Sequence, residues 1–453
     1  MSIATARRRL PLVGHLVPLL RDPLGLMTSL PAYGDLVRIG IGPVTAVVVC
    51  DPQLTQQVLR RDRVFDKGGP IFERGREIVG DGVPTCPYSR HRRLRRLMQP
   101  AFSPSRIAGY ASVMSERIAE MTESWCDGQV VDVEARLHTL TSTVAAATLF
   151  AQTVPDRTRD RMLREIDIVS DGLMRRTLMP APLRRLPILG NRAYWRATTG
   201  LRAGITEVIA ARRAESVDHG DLLSALVTAR DTEGNGLSDT EIRDQIVSMF
   251  LGGTHTTAAT LAWALYLLDR HPGIAGRLHT ELDTVLAGRP ARYDDLPRLP
   301  LTGRIITETL RLWPPIWFLT RTVTEDTELG GHALAKGTTV VYSPYLLHHR
   351  ADRYPDPERF DPDRWDRASA SPPPAALPFG DGARKCIGDS FAVTEATLAL
   401  ATLCARWRLC GMAGQHTGPA LPSMTLQPKR LRMRVSARAV PGPVGPGAPD
   451  PRL

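Results

Sequence analysis

The sequence predicts a mainly helical protein with a smaller part in β-structure. Helical patterns dominate residues 103–235, 245–261 and 393–407, where apolar residues recur at the spacing of one helix face. Runs of β-branched residues at 35–50 and 334–342 predict strands instead. With 453 residues, the chain is long enough to bury a substantial core.

Composition narrows the class of protein. The net charge is +11 and most basic residues are arginine, which favours acidic partners or an anionic cofactor. Nucleic acid is not expected, because there is no basic tail and no basic stretch interleaved with aromatic residues. The six cysteines form no Cys-x-x-Cys pair, which fits a reducing cytoplasm. Residues 10–14 are too few to anchor the protein in a membrane, so we expect a cytoplasmic protein without a membrane anchor.

The first part of the chain predicts a short helix at 23–30, a strand hairpin formed by 35–40 and 44–50, and a helix from Asp51 to Leu59. Residues 66–87 are rich in glycine and proline and show no clear period. We therefore predict a surface loop there.

The next helical stretch is strongly basic. His91 and Arg95 lie four residues apart and share a helix face, whereas Arg92, Arg93 and Arg96 point elsewhere. Without further information, such a stretch is a solvated basic helix.

The helix at 245–261 is apolar, yet Gly252, Gly253 and four threonines occupy its centre. Adjacent glycines weaken a helix, and close approach by a flat cofactor and by oxygen would explain them. The threonine hydroxyls can bond backbone carbonyls and open a kink. The alternative is an ordinary buried helix with a flexible point.

A third helix carries Glu308 and Arg311, three residues apart and on one face. A Pro-Pro pair then ends the helix, and Ile316, Trp317 and Phe318 follow. These three side chains fill either the core or a pocket.

The stretch 379–388 places Cys386 among glycines, with Arg384 two residues before it. A thiolate is a soft ligand for iron. Backbone N–H groups, bound metal, nearby positive charge and the start of the following helix would all stabilise the anion. Gly388 allows close approach of a flat cofactor, and Phe379 can shield the sulfur from water. The alternative is a buried free cysteine in a glycine-rich loop.

The pattern Phe-Gly-x-Gly-x-Arg-x-Cys-x-Gly at 379–388 resembles the haem-thiolate signature of the cytochrome P-450 family. Residues 252–257 resemble the family element Ala/Gly-Gly-x-Asp/Glu-Thr-Thr/Ser, with His255 in place of the acid. Glu308-x-x-Arg311 and Pro-Glu-Arg-Phe at 357–360 resemble two further family elements. The resemblance extends over roughly residues 10–438.

The resemblance implies the cytochrome P-450 fold: mainly α with a small β-rich lobe, and haem between the two parts. We expect one catalytic domain over 1–440, and a disordered tail rich in proline and glycine over 441–453. The cofactor would be haem b, with Cys386 as the proximal iron ligand. The other residues that the resemblance assigns to haem are His91, Arg95, Arg321, Phe379, Arg384 and Gly388. Those expected to lock the core around the haem pocket are Glu308, Arg311 and Arg359.

On the oxygen-binding side, the resemblance implies a catalytic role for Thr256 and Thr257. Two interpretations of His255 remain open: it replaces the acid in a proton relay, or it is structural while Thr256 and water suffice. The candidate substrate-pocket residues are Phe72, Ile78, Val79, Ser248, Gly252, Ile316, Trp317, Phe318 and Met424.

The implied activity is insertion of one oxygen atom from O2 into a lipophilic small molecule. The two electrons would come from a separate ferredoxin and ferredoxin reductase, and Arg92, Arg93 and Arg96 would form a patch on which an acidic partner docks. The overall pattern resembles bacterial members that oxidise terpenes, so we expect a sesquiterpene-like hydrocarbon in secondary metabolism. A fatty acid, a steroid or a polyketide remains open as substrate. So does a haem-thiolate binding or sensing protein without turnover.

Overall fold

The computed structural model describes the chain with short gaps, and the predicted tail at 441–453 lies outside the described residues. The ranges described are 3–7, 11–42, 44–151, 154–179, 183, 186–215, 217–366, 376–415, 417–421, 423 and 425–438.

Helices make up most of the described chain. In chain order, the α-helices are α1 Leu16–Arg21, α2 Pro23–Ser29, α3 Pro52–Arg60, α4 Pro70–Val79, α5 Tyr88–Met98, α6 Pro104–Glu123, α7 Val133–Phe150, α8 Asp156–Leu178, α9 Leu189–Glu215, α10 Leu222–Thr228, α11 Asp239–Arg270, α12 Pro272–Leu286, α13 Pro300–Leu312, α14 Pro344–His348 and α15 Asp389–Arg406. The prediction of a mainly helical protein is confirmed. Within the described ranges, no helix is both long and apolar enough to cross a membrane.

The strands form one larger and two smaller sheets. In chain order they are β1 Ala4–Thr5, β2 Leu36–Ile41, β3 Val44–Val49, β4 Phe65–Asp66, β5 Val130–Asp132, β6 Leu319–Val323, β7 Thr327–Leu329, β8 His332–Leu334, β9 Thr339–Tyr342, β10 Trp407–Gly411 and β11 Arg432–Ala437. The larger sheet has the order β1-β2-β3-β9-β6-β4, and the smaller sheets are β10-β11-β5 and β7-β8.

The predicted hairpin is present, with β2 and β3 antiparallel and Leu36 opposite Val49. Successive side chains on a strand point to opposite faces. Accordingly, Val37 and Val48 enter one apolar cluster while Leu36 and Val49 enter another. Both faces of the sheet are buried, which explains the nearly continuous β-branched runs in the sequence.

Helix α4 corrects the expectation of a surface loop at 66–87. Gly69, with φ 91°, leads into Pro70 at the first helical position, and Gly80, with φ 56°, ends the helix. Proline is favoured at a helix start and glycine just after a helix end, so the same residues that suggest a loop delimit a short helix. The turn after α4 is fixed to α11 because the Asp81 N–H donates to Asp244 over 3.0 Å.

Helix α11 is the long central helix of the molecule. It begins with a capping box, in which Ser238 and Glu241 satisfy each other's backbone N–H groups. It packs against α7, α9, α13 and α15. The prediction at 245–261 therefore covers only the middle of a helix that runs on to Arg270.

A buried ion pair on α13 ties the second half of the chain together. Both side chains of Glu308 and Arg311 are fully buried, and the two N–H···O bonds between them measure 2.8 and 2.9 Å. Arg311 also donates to the carbonyls of His348, Pro357 and Arg359. An unpaired buried charge is very unfavourable, so this arrangement fixes the chain segments that satisfy it.

The structure corrects the expected role of the Arg359 side chain. Arg359 contributes only its carbonyl to the cluster, and its side chain is exposed. Arg364 occupies the expected position, with its Nε 3.3 Å from the Glu308 carboxylate. The Trp365 indole N–H donates to the same carboxylate over 2.8 Å. Both residues lie on a turn of 3-10 helix at 362–365 that packs against α13. The four-residue motif Pro-Glu-Arg-Phe at 357–360 does not reveal this turn.

His348 extends this network to the segment before the cysteine loop. Its Nδ1 donates to the carbonyl of Arg311 over 3.1 Å, and its Nε2 accepts from the Leu377 N–H over 2.8 Å. Burial lowers the pKa of His348 to about 3. A neutral ring is required here, because protonation would remove the acceptor that holds Leu377.

We predict that Arg364→Met destabilises the protein much more than Arg359→Met. Loss of a buried hydrogen bond to a charged group costs about 2 kcal/mol, whereas a substitution at an exposed side chain changes stability by less than about 0.5 kcal/mol. Equilibrium urea unfolding of both variants measures the difference. Equal losses of unfolding free energy would contradict the assignment of Arg364 to the cluster.

Candidate active site

The cysteine loop is shaped by glycines and fixed to the first half of the chain. Gly382 has φ 69°, and a Cβ there would lie 2.7 Å from the Leu59 carbonyl oxygen at the end of α3. Only glycine tolerates both conditions. The Cys386 N–H donates to the Phe379 carbonyl over 2.9 Å, which closes the loop over the predicted motif.

Cys386 faces a large cavity at the start of α15, and its side chain is accessible. The side chain is accessible only from the cavity, and the surrounding protein removes it from bulk water. This desolvation raises the pKa of the thiol, while the Gly388 N–H, Lys67 and Arg95 act in the opposite direction. A thiol in this environment ionises when a metal cation takes the place of its proton. Cys386 is therefore suited to hold a soft metal ion.

A cluster of basic side chains lies beside the loop. His91 is buried, and within the described part of the chain neither ring nitrogen has a hydrogen-bond partner. Burial and then the charges of Arg384, Lys67, Arg95 and Arg321 lower the pKa of His91 to about 3. Such a group of mutually repelling cations beside unpartnered donors is an anion-binding site.

Two arginines of this cluster are held differently. Arg384 is buried and donates to Asp62, Asp66 and the Cys86 carbonyl, over 3.2, 2.6 and 2.9 Å. Arg321 lies with its guanidinium 5.3 Å from the centre of the Tyr342 ring. Its Nε has no partner among the residues that the structure describes. The Arg321 guanidinium is therefore more available to an anion than that of Arg384. The hydrogen bonds of Arg384 fix the cysteine loop to residues 62–86.

Arg95 joins α5 to the cysteine loop. Its guanidinium donates to the carbonyl of Lys385, the residue before the cysteine. Burial lowers the pKa of Arg95, and the charges of Cys386 and Asp389 oppose this. Arg95 therefore brings its face of α5, which it shares with His91, against the loop.

Lys67 is the residue of this cluster that the sequence analysis missed. It follows β4 directly and lines the cavity. Burial, and then Arg321 and Arg384, lower its pKa to about 7. The signal in the sequence is weak: a single lysine in front of two glycines. Only the pairing of β4 with β6 brings it next to Arg321.

Helix α11 presents its glycines and threonines to the same cavity. A Cβ added at Gly252 or Gly253 would meet no heavy atom of its surroundings within 4 Å. The Thr256 hydroxyl donates to the Gly252 carbonyl over 2.6 Å. The Thr257 hydroxyl is buried and has no partner within the described ranges. The open surface over the glycines is where a flat cofactor can approach the helix.

The cavity has a volume of about 830 Å³ and joins the cysteine loop to α11. Of the predicted pocket residues, it is lined by Phe72, Val79, Ser248, Gly252 and Ile316. His255, Thr256 and Thr257 also line it.

Three predicted pocket residues do not line the cavity and pack in or against the hydrophobic core instead. Ile78 packs in the large helical cluster. The Trp317 indole N–H donates to the Ser423 carbonyl over 3.2 Å, and this turns the ring away from the cavity into a cluster on the sheet. Phe318 packs edge-on against Trp317, with ring centres 4.4 Å apart. Met424 lies outside the described residues.

Comparison with known proteins decides the family. The family model described as cytochrome P450 matches residues 6–435. The chain belongs to the cytochrome P450 family.

Among its relatives, this P450 is 46% identical to pentalenene oxygenase of Streptomyces avermitilis, over 96% of this chain and 97% of that protein. It is 44% identical to cyclooctat-9-en-7-ol 5-monooxygenase of Streptomyces melanosporofaciens, over 91% of each chain. Its fold resembles the crystal structure of the cytochrome P450DA heme domain, with a TM-score of 0.86 and 29% identity, over 96% of this chain and 98% of that one. The protein is a P450 monooxygenase with a haem iron cofactor.

The residues of this P450 fit haem. A dianionic, flat cofactor that contains iron requires a soft ligand, cations for its propionates, and a surface without side chains. Cys386 supplies an accessible thiol, Lys67, Arg95 and Arg321 supply the cations, and the neutral ring of His91 supplies an N–H donor. Gly252 and Gly253 leave open space on the helix that crosses the cavity.

We predict that Lys67→Met increases the rate of haem loss by about tenfold or more, since a charge-assisted hydrogen bond is worth about 1.5–3 kcal/mol. Transfer of haem to an excess of apomyoglobin measures this rate. Lys336→Met, at an exposed lysine away from the cavity lining, is the matched control. If both variants lost haem at the wild-type rate, Lys67 would not contact a propionate.

Proposed function

We propose that this P450 inserts one oxygen atom from O2 into a sesquiterpene-like hydrocarbon. The observation that carries the proposal is the apolar lining of the cavity on the side of α4, α7 and α11. There the lining residues include Phe72, Val79, Ala145, Leu149 and Met249.

Charges are confined to other parts of the cavity. Lys67, Arg321 and Arg384 belong to the basic cluster, and Asp381 and Lys385 belong to the cysteine loop. Lys429 lies near the C-terminal end of the described chain, so no charged lining residue lies on α4, α7 or α11. A substrate anchored by a carboxylate would require a cation on the apolar side. The lining therefore favours a hydrocarbon, which is bound by burial and shape.

The relatives support the same substrate class. Two of them are named for the oxidation of pentalenene and of cyclooctat-9-en-7-ol, and both are terpene-oxidising enzymes. Each is similar to this chain over more than nine tenths of its length, so the similarity includes the elements that line the cavity.

Haem iron with a thiolate ligand supplies the activation of O2. In this chain we assign the thiolate to Cys386, and the propionates to His91, Lys67, Arg95 and Arg321. Phe379 and the glycines of the loop keep the thiol at the start of α15, where the Gly388 N–H favours the thiolate. The Thr256 hydroxyl donates to Gly252, which leaves its oxygen to accept a hydrogen bond within the cavity.

Electrons would arrive from a separate ferredoxin, reduced by a ferredoxin reductase, on the basic surface of α5. Arg92 and Arg96 are exposed, and no ion pair involves them within the described ranges. Arg93, by contrast, is held by Glu241 at 2.9 Å and by Asp231 at 3.6 Å. The proposed docking surface is therefore Arg92 and Arg96, and it lies beside the cysteine loop because Arg95 bonds Lys385.

We predict that a sesquiterpene hydrocarbon shifts the ferric haem from low to high spin at low concentration, because it displaces water from the iron. Fatty acids, steroids and macrolides serve as the comparison panel in the same spectral titration. A response only to bulky or acidic ligands would contradict the terpene assignment and leave the family assignment standing.

A matched pair of variants tests whether the apolar side holds the substrate. Val79→Leu adds one methylene at the cavity, and Ile78→Leu keeps the volume at a core position next to it. A methylene is worth about 0.8 kcal/mol, or about fourfold in Kd. We expect Val79→Leu to change the Kd of the terpene by about this factor in spectral titration, and Ile78→Leu to leave it within about twofold. If the Kd of the terpene were the same in Val79→Leu and Ile78→Leu, the substrate would not be bound against Val79.

For the electron donor, we predict that Arg92→Glu combined with Arg96→Glu lowers the rate of reduction by ferredoxin about tenfold or more at low ionic strength, because steering by charge raises the encounter rate. Stopped-flow spectroscopy measures this rate. Arg136→Glu combined with Arg157→Glu, at exposed arginines of α7 and α8, is the control with the same change in net charge. A loss that is equal in the control, or absent in the variant at Arg92 and Arg96, would rule out this docking surface.

A further inference from the structure

Two histidines and one carboxylate meet where three helices pack beside the cavity. His138 lies on α7, Asp167 on α8 and His255 on α11. The His138 Nε2 is 2.7 Å from an Asp167 carboxylate oxygen. The rings of His138 and His255 stack with their centres 4.3 Å apart and an interplanar angle of 18°.

The three side chains form a path from the surface inward. The side chain of Asp167 is 47% exposed and that of His138 is 22% exposed. His255 lines the cavity, next to Thr256 along α11. One ligand atom from each of the three residues lies within 4.8 Å of the other two, a separation that one bridging water can span.

The unused ring nitrogens point to proton transfer. Within the described part of the chain, His138 Nδ1 and His255 Nε2 are buried without hydrogen-bond partners. A neutral imidazole accepts a proton at one nitrogen and releases another from the second. Burial and then His138 lower the pKa of His255 to about 4, and Asp167 opposes this shift. His255 is therefore neutral near pH 7 and passes a proton on rather than retaining it.

A metal site is the competing explanation, and the ring geometry argues against it. Lone pairs of imidazole nitrogens lie in the ring planes, so nearly parallel stacked rings do not direct them at one point. One nitrogen of His138 is also already bonded to Asp167.

We propose that Asp167, His138 and His255 form a proton pathway from solvent to the cavity, with His255 in the position where the family has a carboxylic acid. Insertion of one oxygen atom into the substrate reduces the other atom of O2 to water, which consumes two electrons and two protons. The electrons come from the protein donor, and the pathway delivers the protons. Asp167 and His138 act through His255 and are positioning residues.

We predict that Asp167→Asn lowers the yield of product per electron pair consumed, with the Kd of the substrate unchanged. His255→Ala should lower this yield by about tenfold or more, as expected for loss of a proton-transfer group. The matched control is Asp160→Asn, on the same helix two turns earlier, with a side chain that is 53% exposed. It should retain the wild-type yield.

A spectroscopic measurement separates the pathway from a structural role. In the diamagnetic ferrous, carbon monoxide-bound holoenzyme, ring ¹⁵N chemical shifts report the protonation and tautomer of each histidine. Asp167→Asn should change the shifts of both His138 and His255, whereas Asp160→Asn should change neither. An unchanged His255 signal in Asp167→Asn would overturn the proposal, because the two groups would then not be connected.

Three further results would also overturn it: a wild-type yield in His255→Ala, equal losses in Asp167→Asn and Asp160→Asn, or stoichiometric zinc in the purified holoenzyme. Recovery of the yield in His255→Glu would support it, since a carboxylic acid at this position restores the family pattern.

Discussion

The buried pair of Glu308 and Arg311 is the constraint on which the rest of the site depends. Both charges are withdrawn from water, which is tolerable only if every donor and acceptor finds a partner. The partners are the carbonyls of His348, Pro357 and Arg359, together with the side chains of Arg364 and Trp365. His348 then holds Leu377 in front of the cysteine loop. The position of the thiol is therefore determined by a charge that lies far from it along the chain.

The basic cluster beside the cysteine loop differs, because some of its buried polar groups have no hydrogen-bond partner within the described residues. His91 has no partner for either ring nitrogen within the described part of the chain, and its neighbours are cations. A protein pays for such an arrangement in stability, and a bound anion reverses that cost. The buried pair of Glu308 and Arg311 has all its partners within the protein and is structural. The basic cluster around His91 keeps groups without partners in the described residues and is open to a ligand.

Sequence reasoning predicts the features that local pattern encodes. The hairpin of β2 and β3, the centre of α11 and the loop around Cys386 each follow from a period or a motif. It fails where contacts between distant residues decide. Lys67 joins the cluster only through strand pairing, and Arg364 replaces Arg359 because a turn of 3-10 helix reverses the chain. Trp317 points away from the cavity because its indole N–H donates to the carbonyl of Ser423. The neighbours of His255 come from two other helices, and no spacing within its own helix reveals them.

Gly382 has a consequence for the order of events during folding. The loop can close only against the end of α3, where the Leu59 carbonyl leaves no room for a Cβ. Arg384 likewise needs Asp62, Asp66 and Cys86, which lie about three hundred residues earlier. Contacts of such long sequence separation form late, because the intervening chain must first be ordered. Synthesis proceeds from the N-terminus, so α3 and residues 62–86 are made long before the cysteine loop that completes the site. The site that fits haem is therefore complete only once the cysteine loop has made these long-range contacts with α3 and residues 62–86.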